Sequence, residues 1–230
     1  MAGNGRAPEE RRRAMSIRVL VADDQELVRT GLSMILDAQS DIDVVGEATD
    51  GNEAISMARS LKPDVCLIDI RMPNVDGLEA TRQLAGPDVA DPMAIVIITT
   101  FDLDEYVHTA LKSGARGFLL KDAGPELLVQ AIHAAADGNA LIAPQITARL
   151  LDTFARSSET TKPPEPRFPL TDREEEVLVT VAGGLTNTEI AEELHISLST
   201  VKAHLSSLMT KLDARNRVEL AIWAYATDRV

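Results

Sequence analysis

Val65-Cys66-Leu67-Ile68-Asp69-Ile70-Arg71-Met72-Pro73-Asn74 is the stretch that decides the fold. Its first half is aliphatic and β-branched with no polar alternation, the pattern of a strand covered on both faces. The run stops in a carboxylate, Asp69, and Pro73, Asn74, Asp76 and Gly77 then mark a loop leading into a helix. An acid at the end of one buried strand says little by itself. It gains meaning only if other strands stop beside it.

Four more short apolar runs occur, at Ile17–Ala22, Ile42–Ala48, Ala94–Thr99 and Gly117–Leu120. Interleaved with the five runs are Gln25–Ala38, Asn52–Leu61, Leu78–Leu84, Asp104–Ser113 and Pro125–Asp137, each with apolar residues three and four apart. This alternation predicts an α/β domain, a parallel sheet with helices on both faces. Right-handed crossovers reduce the choices to a flavodoxin-like, doubly wound sheet of order 2-1-3-4-5. Such sheets bind ligands beyond the carboxyl ends of their strands.

Those ends carry Asp23-Asp24 after the first strand, Asp69 on the third, Thr99-Thr100 on the fourth and Lys121 after the fifth. Thr49-Asp50-Gly51, after the second strand, falls to one side. Taken singly, each has a plainer role: Asp23 or Asp24 as a helix N-cap, Thr99 as a strand residue, Lys121 as a solvated cation. Together they bring three carboxylates, a hydroxyl and an ammonium to one sheet edge. Carboxylates so close repel one another, and a hard divalent cation such as Mg2+ relieves that repulsion. A carboxylate beside Mg2+ can accept a phosphoryl group, with Lys121 neutralising its charge and Thr99 donating a hydrogen bond.

The chain of 230 residues, 45% apolar and 26% charged, has room for one large or two small domains. A net charge of −13 argues against a non-specific nucleic-acid binder but leaves room for a local basic helix. The single cysteine, Cys66, excludes a disulfide within the chain and fits a cytoplasmic protein; inside an apolar run it reads as a small buried hydrophobe. No run approaches the ~20 apolar residues of a membrane span. Residues 1–15, rich in Gly, Pro, Glu and Arg, read as a disordered extension that is not a signal peptide. The α/β domain is expected over 16–140. An amphipathic helix at Pro144–Phe154 and a Pro-rich linker to Pro166 fill 141–167, and a second domain occupies 168–230.

The second domain reads as all-α, a four-helix unit. Thr171-Asp172-Arg173-Glu174 and Thr186-Asn187-Thr188-Glu189 are capping boxes, Gly183-Gly184 ends the first helix and Ser197 caps the third. The tight turn between helices predicts a helix-turn-helix. On the third helix Val201, Leu205, Leu208 and Leu212 form a buried stripe. Lys202, Ala203, Ser206 and Thr210 point away from it, with His204 and Lys211 on a flank. That small, polar, acid-free face suits a major groove, although composition alone equally allows a solvated face. The last helix is apolar on two sides, Val218-Ala221-Ile222-Tyr225 and Leu220-Trp223-Ala224. Two apolar sides call for two partners, and Leu220, Trp223 and Ala224 are assigned to a second subunit.

Ala22-Asp23-Asp24-Gln25, Leu67 to Gly77, Ile97-Ile98-Thr99-Thr100-Phe101 and Gly114 to Asp122 together resemble the receiver domain of two-component response regulators. The resemblance implies that a sensor histidine kinase phosphorylates Asp69. It implies that Asp24, Asp69 and the Arg71 main-chain carbonyl hold Mg2+, with Asp23 helping directly or through a water. Thr99, Phe118 and Lys121 then stand at switch positions, and Phe118 lacks the hydroxyl of the tyrosine common there. Leu170–Leu178, Leu185–Ala191 and Ser199–Leu205 resemble the LuxR-type DNA-binding domain, and the whole chain is similar to the NarL/FixJ class. This implies that Lys202 and its neighbours Thr200, Ala203, His204, Ser206 and Lys211 contact double-stranded DNA in a homodimer. Ser206 and Ser207 stand where many members carry further basic residues. The function implied is control of dimerisation and sequence-specific DNA binding by phosphorylation at Asp69, with no metabolic enzyme activity. The alternative is a phosphorylation-independent DNA-binding regulator that uses the receiver as a dimerisation platform.

Overall fold

The computed structural model describes residues 16–100, 104–142, 168–227 and 229–230. The extension 1–15, the helix expected at Pro144–Phe154 and the Pro-rich linker lie outside them. In the first domain β1 (Ile17–Ala22), α1 (Glu26–Asp37), β2 (Ile42–Ala48), α2 (Gly51–Leu61), β3 (Val65–Asp69) and α3 (Gly77–Ala85) follow one another. They continue as β4 (Ala94–Thr99), α4 (Asp104–Lys112), β5 (Gly117–Leu120) and α5 (Pro125–Ala136). The strands run parallel in the order β2-β1-β3-β4-β5, as the alternation of patterns predicts. A two-residue strand, β6 (Leu141–Ile142), pairs parallel with β5 and extends the sheet into residues that the sequence reads as the start of the linker.

β3 occupies the middle of the sheet, paired with β1 on one side and β4 on the other. All five of its residues are buried, which explains why the run shows no alternation. Cys66 is wholly inside, and burial pushes its thiol up to about 12, so it is inert at neutral pH. The core continues through Val19, Leu20 and Val21 of β1, Ile95 to Ile98 of β4 and Phe118 and Leu119 of β5. Fully burying each such aliphatic side chain contributes roughly 1.5–3 kcal/mol. The helices then cover both faces, with Leu32 and Leu36 of α1 and Leu128 and Ile132 of α5 packed on one, and Ile55 of α2, Leu84 of α3 and Leu111 of α4 on the other.

The second domain consists of α6 (Asp172–Ala182), α7 (Asn187–Glu193), α8 (Leu198–Leu212) and α9 (Arg217–Ala226). Both capping boxes form: Thr171 N donates to Glu174 Oε2 at 2.7 Å, and Thr186 N donates to Glu189 Oε2 at 2.7 Å. Ser197 Oγ caps α8 by accepting from Thr200 N at 3.1 Å. The stripe Val201, Leu205, Leu208 and Leu212 is buried in a separate core with Val177, Leu178, Ile190 and Leu220. Among the described residues, no helix is long and apolar enough to cross a membrane.

The loop after β3 brings backbone against backbone. A Cβ on Gly77 would stand 2.0 Å from the carbonyl oxygen of Asp69, and one on Gly51 would stand 2.2 Å from that of Val75. Glycine is the only residue that fits either place. Gly77→Ala is therefore expected to lower stability by roughly 2–4 kcal/mol, because Asp69 itself must move. A drop in the urea midpoint with an unchanged slope is the expected readout.

Candidate functional site

Asp69 closes β3 and Asp23 follows β1, so the parallel sheet sets their carboxylates side by side. Lys121, one residue beyond β5, reaches between them. Its Nζ lies 3.0 Å from Asp69 Oδ2 and 2.6 Å from Asp23 Oδ2. All three side chains are at least nine-tenths buried. Asp23 Oδ2 makes this ion pair off the hydrogen-bond direction and has no other hydrogen-bond partner, an unusual state for a buried oxygen. Asp24 is exposed at the rim, and the ligand atoms of Asp23, Asp24 and Asp69 all lie within 4.8 Å of one another. Three hard oxygen donors converging beside an under-used carboxylate oxygen fit a small divalent cation. Thr99 is buried at the end of β4, next to the strand end that carries Asp69. Phe118 is fully inside the core.

The electrostatics follow from burial. Desolvation raises the Asp69 carboxyl, helped by the Asp23 charge, and the Lys121 ammonium only partly offsets this. Burial pulls Lys121 down, but its bonds to Asp23 and Asp69 outweigh that and hold it above its ordinary value. One ammonium thus holds two buried carboxylates together.

Several supports carry no motif. Arg29 of α1 donates through Nη1 to the Asp23 carbonyl at 2.9 Å, and its Nε pairs with Glu47 at 3.1 Å. Asp23 Oδ1 accepts from Gln25 N at 2.9 Å in a local turn before α1; the N-cap position itself is Gln25. Asp50, which the sequence reads as off to one side, caps α2 through Glu53 N and accepts from Asn74 Nδ2 at 2.7 Å. Asn74 stands at φ 64, a left-handed conformation that asparagine tolerates, so this bond pins the loop following Asp69. Arg71 in the same loop donates through Nη2 to the Tyr106 hydroxyl of α4 at 3.2 Å.

In the second domain, Thr200 lies in the first turn of α8. Lys202, Ala203, Ser206 and Thr210 are exposed on this helix and His204 is half-buried. Lys211 does not join them. Its Nζ turns inward to Glu174 Oε2 at 2.7 Å and to the Pro169 carbonyl at 3.2 Å, and Ser207 donates to Glu174 Oε1 at 2.7 Å. Periodicity predicts the flank of Lys211 but not the buried acid that claims it. Leu220, Trp223 and Ala224 do not form a free surface either: they are buried against α6 in the domain's own core, with Arg229 stacked over Trp223 at 4.4 Å. The second apolar side of α9 meets the first domain instead. Val218 packs on that domain's core, and Ile222 shares a cavity of about 230 Å³ with His108 and Leu111 of α4.

The two domains are joined by hydrogen bonds. Asn216 Nδ2 donates to the carbonyls of Leu111 (2.8 Å) and Ala115 (3.2 Å), and Arg215 Nη1 donates to that of Lys112 (2.6 Å). Leu111 and Lys112 lie in the last turn of α4 and Ala115 just beyond it, where donors and positive charge are favoured. A second set lies at the end of α5. Asn187 Nδ2 donates to the Asp137 carbonyl at 2.9 Å, and Asn139 Oδ1 accepts from Asn187 N and from Arg217 Nη1, each at 3.2 Å. Lys202, Ser206 and Met209 of α8 therefore face the first domain across a cavity.

Residues 19–133 match the family model described as the response regulator receiver domain. Residues 168–224 match that of the bacterial regulatory proteins of the luxR family. Among curated proteins, the chain is 41% identical to the transcriptional regulatory protein LiaR of Bacillus subtilis, covering 91% of this chain and 97% of LiaR. It is 36% identical to the response regulator protein VraR of Staphylococcus aureus, with 92% and 97% covered. Among solved structures it resembles the response regulator ChrA of a heme-sensing two-component system. There the TM-score is 0.51 at 36% identity, over 94% of this chain and all of that one. It also resembles the response regulator RcsB in a complex with DNA, at 0.54 and 26% identity over 92% of this chain and 98% of that one.

Burial opposes the ionisation of Glu174, but Lys211, Ser207 and Thr171 outweigh it and hold the carboxyl at about 2, below its ordinary 4.5. A carboxyl depressed by folding contributes stability that is complete above 4.5 and is lost as pH falls toward 2. Lys211→Met leaves Glu174 without its counter-charge and is expected to cost roughly 2–3 kcal/mol at pH 7. Fluorescence of Trp223, the only tryptophan, reports unfolding of this domain directly.

Proposed function

The chain belongs to the two-component response regulators that carry a luxR-family DNA-binding domain, and on that premise we propose that phosphorylation of Asp69 by a sensor histidine kinase releases the DNA-binding domain from the receiver. The observation that carries this reading is the single ammonium of Lys121 held between Asp69 and Asp23, with Asp24 at the rim. In the transfer step an Asp69 oxygen forms a bond to phosphorus while the phosphorus–nitrogen bond of the kinase's phosphohistidine breaks. The electron pair of that bond returns to the imidazole. Lys121 gives up part of its contact with Asp23 and neutralises the arriving oxygens, and Thr99 binds one of them.

Asp24, Asp69 and the Arg71 carbonyl, with Asp23 directly or through a water, are the residues that would hold Mg2+. When bound, Mg2+ supplies the remaining neutralisation of carboxylate and phosphoryl charge. Thr99, Phe118 and Lys121 are the switch residues of this proposal.

The signal has a short path. Arg71, two residues from Asp69, holds Tyr106 on α4, and the far end of α4 is held by Asn216 and Arg215 of the DNA-binding domain. Those two contacts sit at opposite ends of a helix of nine residues, about 13 Å long. A shift of the Arg71 loop on phosphorylation tilts α4 and removes the carbonyls that Asn216 and Arg215 bind. Release then moves the receiver away from Lys202 and Ser206 and lets Thr200, Lys202, Ala203, His204 and Ser206 enter the major groove of double-stranded DNA. It also uncovers Val218 and Ile222, the apolar side of α9 best placed for a homodimer. Burial of Leu220, Trp223 and Ala224 argues against their use there. The one buried cysteine supports a reducing compartment, the cytoplasm.

Two outcomes check this. Asp69→Asn is expected to abolish acid-labile phosphate gained from acetyl phosphate and Mg2+; labelling at the wild-type level would place the acceptor elsewhere. Asn216→Asp keeps the oxygen that caps α9 through Glu219 N but turns a donor into a carboxylate facing two carbonyls. Losing those bonds to buried groups costs about 1–3 kcal/mol, so DNA affinity of the unphosphorylated chain is expected to rise roughly tenfold, measured by fluorescence anisotropy.

A further inference from the structure

We propose that the cavity where the receiver meets the DNA-binding domain is a binding site for a small phosphate-bearing anion that holds the two domains together. The cavity measures about 310 Å³, and both domains build it. The receiver contributes Arg116 to its wall, and the DNA-binding domain contributes Lys202, Arg215 and Arg217. Among the described residues, the only carboxylate on the wall is Asp137.

Three of these cations lack an ion-pair partner, although the Glu189 charge attracts Arg217 from beyond ion-pair distance. Among the described residues, Arg116, Lys202 and Arg217 make no ion pair. Arg215 already has Glu219 at 3.8 Å. The Arg116 guanidinium donates to the Ala135 carbonyl at 3.2 Å. Arg217, only 9% exposed, donates to three neutral oxygens, those of Asn139, Asn187 and Leu185. Elsewhere this chain pairs its buried cations: Lys121 with Asp23 and Asp69, Lys211 with Glu174, Arg29 with Glu47. With a net charge of −13 it has acids to spare, so a cavity walled by unpaired cations stands apart. Burial depresses both guanidinium groups, Arg217 to about 10, and the Glu189 charge offsets only part of that at Arg217.

The chemistry of the occupant follows from the wall. A guanidinium fork matches oxyanions with paired acceptors, and several separate cations suit a group with charge near −2 and three strong acceptor oxygens. A phosphate group meets both conditions. The volume is at the small end for ligand sites, which implies a compact molecule. Because the two domains each supply part of the wall, the anion binds only the docked form. By linkage it stabilises docking and weakens DNA binding. This regulation goes beyond phosphorylation of Asp69 and uses none of the groups there.

Thermal unfolding of the full chain, in EDTA and at constant ionic strength, tests the proposal with inorganic pyrophosphate as the probe. A rise in Tm of roughly 5 °C is expected near saturation. Arg116→Gln should remove at least half of that rise. Arg116 belongs to the receiver, so this loss cannot come from anions bound to a freed DNA-contacting face. Ser206→Asp sets a carboxylate on the wall from an exposed position of α8 and should abolish the rise without disturbing folding. Equal rises in the wild type and in either folded variant, or no rise in the wild type, would overturn the proposal. Neither outcome bears on whether Asp69 takes phosphate, which acid-labile labelling measures separately.

Discussion

The ion pair network of one lysine and two aspartates is the constraint on which the receiver depends. Lys121 arrives from β5, Asp23 from β1 and Asp69 from β3, so the network exists only if three non-consecutive segments lie side by side in register. A buried carboxylate pair without that ammonium would have to hold a proton. With it, the ammonium offsets part of the burial that raises the Asp69 carboxyl. The buried network contributes a poised charge state more than it contributes stability.

In the proposed mechanism that poise reaches the second domain through α4. Val107, Ala110 and Leu111 seat the helix on the receiver core, one end is held from the Arg71 loop through Tyr106, and the carbonyls of its last turn accept from Asn216 and Arg215. Helix-end carbonyls make a sensitive latch, because they must be satisfied by something and can be satisfied by water as readily as by a side chain. The docked state therefore costs little to open, while the donors give it a defined geometry. The same docking sets the Lys202 face of α8 and the Ile222 side of α9 against the receiver at once, so in the proposed mechanism one displacement acts on both groove access and pairing.

The order of strands, the capped helices and the residues of the acid cluster were all legible in the sequence, because each rests on local pattern. Periodicity separates α/β from all-α, capping boxes mark helix starts, and the fold rule says which strand ends meet. Lys211 and the trio Leu220, Trp223 and Ala224 show where that legibility stops. Both faces of α9 are apolar, and no local signal says that the trio packs on α6 while Val218 packs on the receiver core and Ile222 lines a cavity shared with α4. Lys211 sits on the predicted flank of its helix, but Glu174, 37 residues earlier, decides where its charge goes. The supports from Arg29, Asp50 and Asn74 were missed for the same reason: each is an ordinary polar residue until the chain folds it against a site residue.

Release of the DNA-binding domain from α4 on modification of Asp69 is the central claim, and single-molecule energy transfer tests it most directly. The buried thiol of Cys66 leaves the chain free for dyes at Arg59→Cys and Glu193→Cys, both exposed and on different domains. Without a phosphoryl mimic, one narrow transfer efficiency set by the docked geometry is predicted. Beryllofluoride with Mg2+ should replace it with a shifted and broader distribution, and Asp69→Asn should prevent the change. Identical distributions with and without beryllofluoride, in a chain shown to bind it, would contradict the account.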